Sequence, residues 1–204
     1  MEFFKYGETE INYLKNACPK LAEVIDRVGM IERKVEPDLF KSLISSIVSQ
    51  QISTKAAQTI FARLEELVGQ MTAEAILARC EDEIKKCGLS YRKVGYIRRI
   101  CLAVRSGELD LENLATLSDL EVARKLIKLN GIGIWSAEML LIFSLGRPDV
   151  LSYGDLIIRR SIMKLYGLDD LSKKEFQAYR ELYSPYGTVA SLYLWNLASE
   201  KGSD

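Results

Sequence analysis

Apolar residues return at every third and fourth position along almost the whole chain, as in Leu39, Leu43, Ile44, Ile47 and Val48 or in Ile97, Ile100, Cys101 and Val104, while two-residue alternation is nearly absent. That spacing stacks apolar side chains on one face of successive helices and predicts an all-α fold. Start signals sharpen the boundaries: Pro37-Asp38, Ser53, Thr72, Ser118, Asp155 and Ser172 suit helix N-termini, and Ser118 with Glu121 and Ser172 with Glu175 have capping-box spacing. The predicted helices lie near residues 9–17, 20–28, 38–49, 53–68, 72–79, 81–86, 91–106, 118–128, 134–145, 155–166, 172–183 and 188–199. Asn130-Gly131-Ile132-Gly133 is then a short connection, and the helices on either side of it form a helix-hairpin-helix unit. No internal repeat, low-complexity tract or long linker interrupts the pattern.

Composition narrows the classes. With 204 residues, 48% of them hydrophobic, the chain can bury a core as one domain or as two small lobes. Its 28 basic and 28 acidic residues cancel, so no whole-molecule field draws it to nucleic acid or membrane, and any affinity for DNA would have to come from local charge or backbone donors. One local excess exists: from Ile84 to Arg105 there are seven basic residues (Lys85, Lys86, Arg92, Lys93, Arg98, Arg99 and Arg105) and no acidic one. A solvated helix face is the plain explanation; a phosphate track, with salt-dependent affinity, is the functional one. Cys18, Cys80, Cys87 and Cys101 fall in apolar helical stretches and read as buried free thiols. The absence of histidine and of any Cys-x-x-Cys pair excludes histidine-based triads and zinc sites. Met1-Glu2-Phe3-Phe4-Lys5 lacks a signal peptide's apolar run, and no stretch approaches the ~18 consecutive apolar residues of a membrane span, so the expected location is intracellular, cytoplasmic in a prokaryote and nuclear in a eukaryote.

The chemistry concentrates at two points. Two glycines around Ile132 allow a tight turn with positive φ, and they present backbone N–H groups at the N-terminus of the following helix, an anion site that accepts a DNA phosphate without a basic side chain. Twenty-two residues beyond Gly133 stands a lone aspartate, Asp155, in Tyr153-Gly154-Asp155-Leu156. Gly-Asp ahead of Leu156-Ile157-Ile158 is also an ordinary N-cap, and the two roles are compatible. A carboxylate at a helix N-terminus is stabilised as the anion. Such an anion can steady positive charge that develops beside it, and it can orient or deprotonate a water. Glu138, within an apolar helix, and Asp149, in a proline-containing turn, are weaker candidates.

Leu129-Asn130-Gly131-Ile132-Gly133-Ile134-Trp135-Ser136-Ala137 resembles the helix-hairpin-helix of the DNA glycosylase superfamily, with Asn130 in place of the usual proline. The superfamily's catalytic aspartate then falls on Asp155. Members that cleave the DNA backbone through a Schiff base carry lysine two positions after the second glycine, where this chain has Trp135, so the resemblance implies water as nucleophile and an abasic product. The cysteines that hold an iron–sulfur cluster in endonuclease III relatives have no counterpart after Asp155. Trp135 is instead similar to the 3-methyladenine DNA glycosylase II (AlkA-like) family, as are Ser45-Ser46-Ile47-Val48-Ser49-Gln50-Gln51-Ile52-Ser53, Gly88-Leu89-Ser90-Tyr91-Arg92-Lys93 and Gly146-Arg147-Pro148-Asp149-Val150. The stretch from Ser184 to Trp195 resembles that family's terminal pocket helix, with Gly187 where arginine is common. The likeness covers roughly residues 36–200.

The resemblance implies a base pocket lined by Trp135, Met139, Tyr153 and Trp195, although both tryptophans also suit plain core packing. It implies a wedge at Gln51 and DNA contacts from Gln50, Ser53, Gly131, Gly133, Ile134, Arg92 and Lys93, with Arg159 and Arg160 adding charge beside the aspartate. It also implies a sodium or potassium ion on the backbone carbonyls of Leu129 and Ile132, and no required cofactor. The expected architecture is a helical lobe of residues 36–145 carrying the hairpin and a second lobe of 1–35 with 146–204 carrying Asp155, around a DNA-binding cleft, in the compact form without an N-terminal β domain. The expected activity, for a monomer on damaged double-stranded DNA, is hydrolytic release of alkylated purines such as 3-methyladenine and 7-methylguanine. Two rivals stand beside it: a glycosylase for oxidised or deaminated bases, and a non-catalytic helix-hairpin-helix DNA-binding protein.

Overall fold

A computed structural model describes residues 2–199 and contains, among these, thirteen helices and one two-stranded ribbon. It divides into two compact units, residues 36–140 and residues 2–35 with 141–199. The all-α expectation holds apart from that ribbon.

The first unit contains α3 (Leu39–Ser49), α4 (Thr54–Val68), α5 (Ala73–Leu77), α6 (Glu81–Lys86), α7 (Tyr91–Arg105), α8 (Leu111–Leu114), α9 (Asp119–Leu126) and the start of α10 (Ile134–Phe143). Its helices begin where local side chains satisfy otherwise orphaned N–H groups: Asp38, Ser53, Thr72 and Ser90 accept from the third residue beyond, and Ser118 with Glu121 closes a capping box. Leu43, Ile44 and Ile47 of α3 and Val94, Ile97, Ile100 and Cys101 of α7 are buried, which is the apolar face that the periodicity predicts. The one-turn helix α8, begun by Asp110, is too short to leave a periodic trace and is not foreseen from the sequence.

The second unit joins β1 (Glu2–Phe3), α1 (Glu8–Ala17), α2 (Pro19–Val28) and β2 (Lys34–Val35) to α11 (Leu156–Tyr166), α12 (Lys173–Tyr183) and α13 (Gly187–Ser199). The strands pair antiparallel, Glu2 opposite Val35 and Phe3 opposite Lys34. Its centre is α13, buried from Gly187 through Leu194 and again at Leu197. The hydroxyls this helix meets are satisfied: Ser161 donates to the Leu194 carbonyl at 2.7 Å and Ser191 to the Val150 carbonyl at 3.0 Å. Gly187, the departure from the resembled family, has a local cause. Its N–H donates to the Asp149 carboxylate at 3.0 Å, and a Cβ there would lie 2.9 Å from the same oxygen. Asp149 is thereby committed to the start of α13.

Two expectations change. The division falls inside α10, between Leu140 and Leu141, rather than after residue 145, because the last turn of that helix packs with the second unit, where Phe143 stacks on Trp195. Cys80 is exposed at the start of α6, where its N–H donates to Glu83 at 2.8 Å; the other three thiols are buried and free. Burial pushes the Cys101 thiol up to about 12, which leaves it unreactive.

Candidate active site and nucleic-acid interface

Asp155 is 6% exposed and is the N-cap of α11. One carboxylate oxygen, Oδ1, accepts the N–H groups of Ile157 at 2.8 Å and Ile158 at 3.0 Å. The other, Oδ2, accepts Nε1–H of Trp195 at 3.2 Å. Three donors thus fix the orientation of one acid, and the helix N-terminus adds its partial positive charge. A helix cap and a firmly oriented carboxylate coincide at this residue.

Trp195 makes polar and aromatic contacts at once. While its indole N–H is bound to Asp155, its ring stacks on Phe143 with centroids 5.7 Å apart and planes 29° from parallel. The Arg33 guanidinium lies 4.8 Å from the Phe143 centroid and 5.8 Å from that of Trp195. Sequence reasoning missed both partners. Tyr153, three positions from Leu156 in sequence, packs edge-on to Phe176 at 5.3 Å and lies under Arg159 at 4.8 Å, so its ring is engaged with the core of the unit. In the other unit Trp135 is 46% exposed on the first turn of α10, with Met139 half-buried one turn further on.

The hairpin between α9 and α10 is tightened by Ile132 N–H donating to the Leu129 carbonyl at 3.1 Å. Its two glycines differ. Gly131 has φ +90°, and a Cβ there would meet the Tyr96 ring at 2.5 Å and Ile47 at 2.9 Å. Gly133 has ordinary backbone geometry and open space around it, so only one of the two needs positive φ; Gly133 and Ile134 lie exposed at the start of α10.

Several residues expected to touch DNA also make hydrogen bonds within the protein. Gln50 Nε2 donates to the Gly131 carbonyl at 2.7 Å, and Lys93 Nζ donates to the carbonyls of Val48 at 2.8 Å and Gln50 at 2.7 Å. Lys93 therefore caps the C-terminus of α3, and its ammonium, partly desolvated by burial, titrates below the usual lysine range. Ser53 Oγ accepts the Ala56 N–H at 3.3 Å and serves α4. Each of the three thus also has a positioning role within its unit. Gln51, by contrast, is exposed at the tip after α3 with φ +59°, an unusual conformation for a residue with a side chain, and Arg92 is exposed on α7. Asn130, in the proline's place, accepts from Arg99 Nη1 at 2.8 Å. Replacing Lys93 with methionine should lower the unfolding free energy by about 1–3 kcal/mol, since the last carbonyls of α3 lose a charged donor; denaturant titration measures it.

Among the described residues no cluster of acidic or cysteine side chains could hold a metal ion, and no helix is long and apolar enough to cross a membrane.

Residues 44–185 match the model of the HhH-GPD superfamily base excision DNA repair proteins, a span that includes the hairpin and Asp155 and exceeds half of the chain. The chain belongs to that superfamily. Among curated relatives, DNA-3-methyladenine glycosylase 1 of Schizosaccharomyces pombe is 37% identical over 79% of this chain and 72% of its own length. The crystal structure of a DNA-3-methyladenine glycosidase from Bacillus halodurans superposes with a TM-score of 0.88 at 38% identity, covering 98% of this chain and 94% of that one. A 3-methyladenine DNA glycosylase of Schizosaccharomyces pombe, solved in complex with abasic DNA, superposes with a TM-score of 0.80 at 31% identity, covering 93% and 96%. HhH-GPD membership gives the turn at Gly131 and the capped Asp155 a shared setting, base excision repair.

Proposed function

We propose that this protein is a monofunctional DNA N-glycosylase that hydrolyses the bond between deoxyribose and an alkylated purine in duplex DNA. The observation that carries the reading is the orientation of Asp155 by two backbone N–H groups and the Trp195 indole. Likeness to glycosylases named for 3-methyladenine supports the choice of lesion.

A purine alkylated at N3 or N7 carries a positive charge. When its C1′–N bond breaks, the electron pair stays with the base, which leaves neutral, and the positive charge passes to the sugar. A fixed carboxylate at the sugar is then worth more in the transition state than in the ground state, which is the condition for catalysis. Water adds its oxygen to C1′, and Asp155 orients it or takes its proton. With tryptophan at position 135 no amine is placed for a Schiff base, so the DNA strand stays whole. In this reading Tyr153 and Trp195 hold the extruded base, and Phe143, stacked on Trp195, joins them. Gln51 fills the space that the extruded nucleotide leaves, and Gly133 and Ile134 receive a backbone phosphate.

The Leu129 and Ile132 carbonyls belong to one tight turn, held by the Ile132–Leu129 hydrogen bond. Carbonyl oxygens retain a second lone pair and are the hard donors alkali ions take, so these residues suit a sodium or potassium ion that would stiffen the turn.

Duplexes carrying a single methylated, oxidised or deaminated purine, compared under single-turnover conditions, test the assignment. The methylated base is expected to be released at least about tenfold faster, because its bond to the sugar is already weakened and little pocket discrimination is needed. Faster release of an oxidised or deaminated base would reassign the lesion. Duplex binding without release of any base would leave a DNA-binding module.

A further inference from the structure

The structure divides the basic run from Lys85 on α6 to Arg105 on α7. Lys85 sits over the Tyr91 ring at 4.6 Å, Lys93 caps α3, and Arg98 donates to the Arg79 carbonyl at 2.9 Å and pairs with Glu81 at 3.5 Å. Lys93 and Arg98 thereby hold backbone carbonyls of the fold, and Lys85 rests on an exposed ring. Arg99 and Arg105 instead line an open groove of about 460 Å³ together with Lys128, from the segment after α9, and the groove ends at Asn130 of the hairpin. Leu102, 44% exposed, lines it as well, and Glu108 is the one acid among its described lining residues.

Three cations against one carboxylate is a local excess in a chain of zero net charge. The groove is open to solvent and, at about 460 Å³, is larger than one small anion needs. Arg99 ties this surface to the turn: one of its five N–H groups is bound to Asn130, and the rest of the guanidinium is available for phosphate oxygens. The hairpin's own anion site begins at Gly133, three residues further along the chain.

We propose that this groove holds backbone phosphates of the duplex beyond those met at the hairpin, so that Gly133, Arg99, Lys128 and Arg105 form one phosphate track. The proposal rests on the duplex-DNA reading above and adds a contact indifferent to sequence and lesion.

The test is a salt titration of duplex binding by the full chain and by Arg105→Gln, Lys128→Gln and the double variant. All these positions are exposed, and unfolding midpoints check that the fold is kept. The slope of log Kobs against log salt is expected to become shallower by roughly 0.9 for each cation removed, with affinity for damaged and undamaged duplexes falling by equal factors. An unchanged slope in the double variant, with normal binding by the unsubstituted chain, overturns the groove while leaving the glycosylase reading intact. Inorganic phosphate alone captured by the groove, with no change in the DNA slope, also overturns it. An unsubstituted chain that binds duplex through these cations but releases no base supports the groove and defeats the glycosylase reading; one that binds no duplex defeats both.

Discussion

Asp155→Asn is expected to lower the single-turnover rate of base release by about 10²–10⁴-fold, the range seen when a positioned base or a transition-state charge partner is removed. The substitution separates chemistry from folding. Asparagine caps a helix about as well as aspartate, and its amide oxygen can still accept from Ile157 and Ile158, while its NH2 then faces the Trp195 N–H in place of the accepting oxygen, so stability should fall by about 1–3 kcal/mol with the fold and duplex affinity kept. What is lost is the negative charge and the acceptor for Trp195. Asp155→Ala removes the cap as well and should lower stability by about 1 kcal/mol more, in addition to abolishing release. Base release by the asparagine variant at an undiminished rate would remove Asp155 from the reaction.

The hairpin glycines give the second large effect, and they should behave oppositely. Gly131→Ala places a methyl group within 2.5 Å of Tyr96 and 2.9 Å of Ile47 on a backbone with φ +90°. Left-handed backbone strain of about 1–2 kcal/mol and overpacking of about 1–3 kcal/mol both oppose folding, so a loss of roughly 2–5 kcal/mol is expected in denaturant unfolding. Gly133→Ala meets no neighbour and no strain, and should leave stability unchanged within about 0.5 kcal/mol, the ordinary range for surface substitutions. If Gly133 is glycine so that a phosphate can approach the backbone, the same alanine should weaken duplex binding about tenfold or more. Unchanged stability for Gly131→Ala, or unchanged binding for Gly133→Ala, would contradict this division of labour.

Local features of the sequence carried most of the fold. Caps act within three residues, so Ser118 with Glu121 and Ser172 with Glu175 mark helix starts in the sequence as plainly as in the structure. Asp155 was visible for the same reason, as an N-cap at a fixed distance from a glycine turn. What escaped is non-local. Arg33 reaches an aromatic pair more than a hundred residues away in sequence, and nothing near it signals that contact. Phe143 lies in a helix that is apolar on nearly every side, so periodicity singles out no face and no ring. Gln50 and Lys93 read as surface polar groups near helix ends, yet they bond to Gly131 and to the end of α3, and only folding reveals those partners. Two glycines one residue apart look alike on paper; the ring of Tyr96 and the side chain of Ile47 distinguish them.

Mass analysis of both products from methylated duplex DNA tests the central claim most directly. The account predicts free 3-methyladenine and 7-methylguanine, together with full-length strands that have exchanged a base for water. Absence of free methylated bases, or their appearance only alongside broken strands, would contradict it.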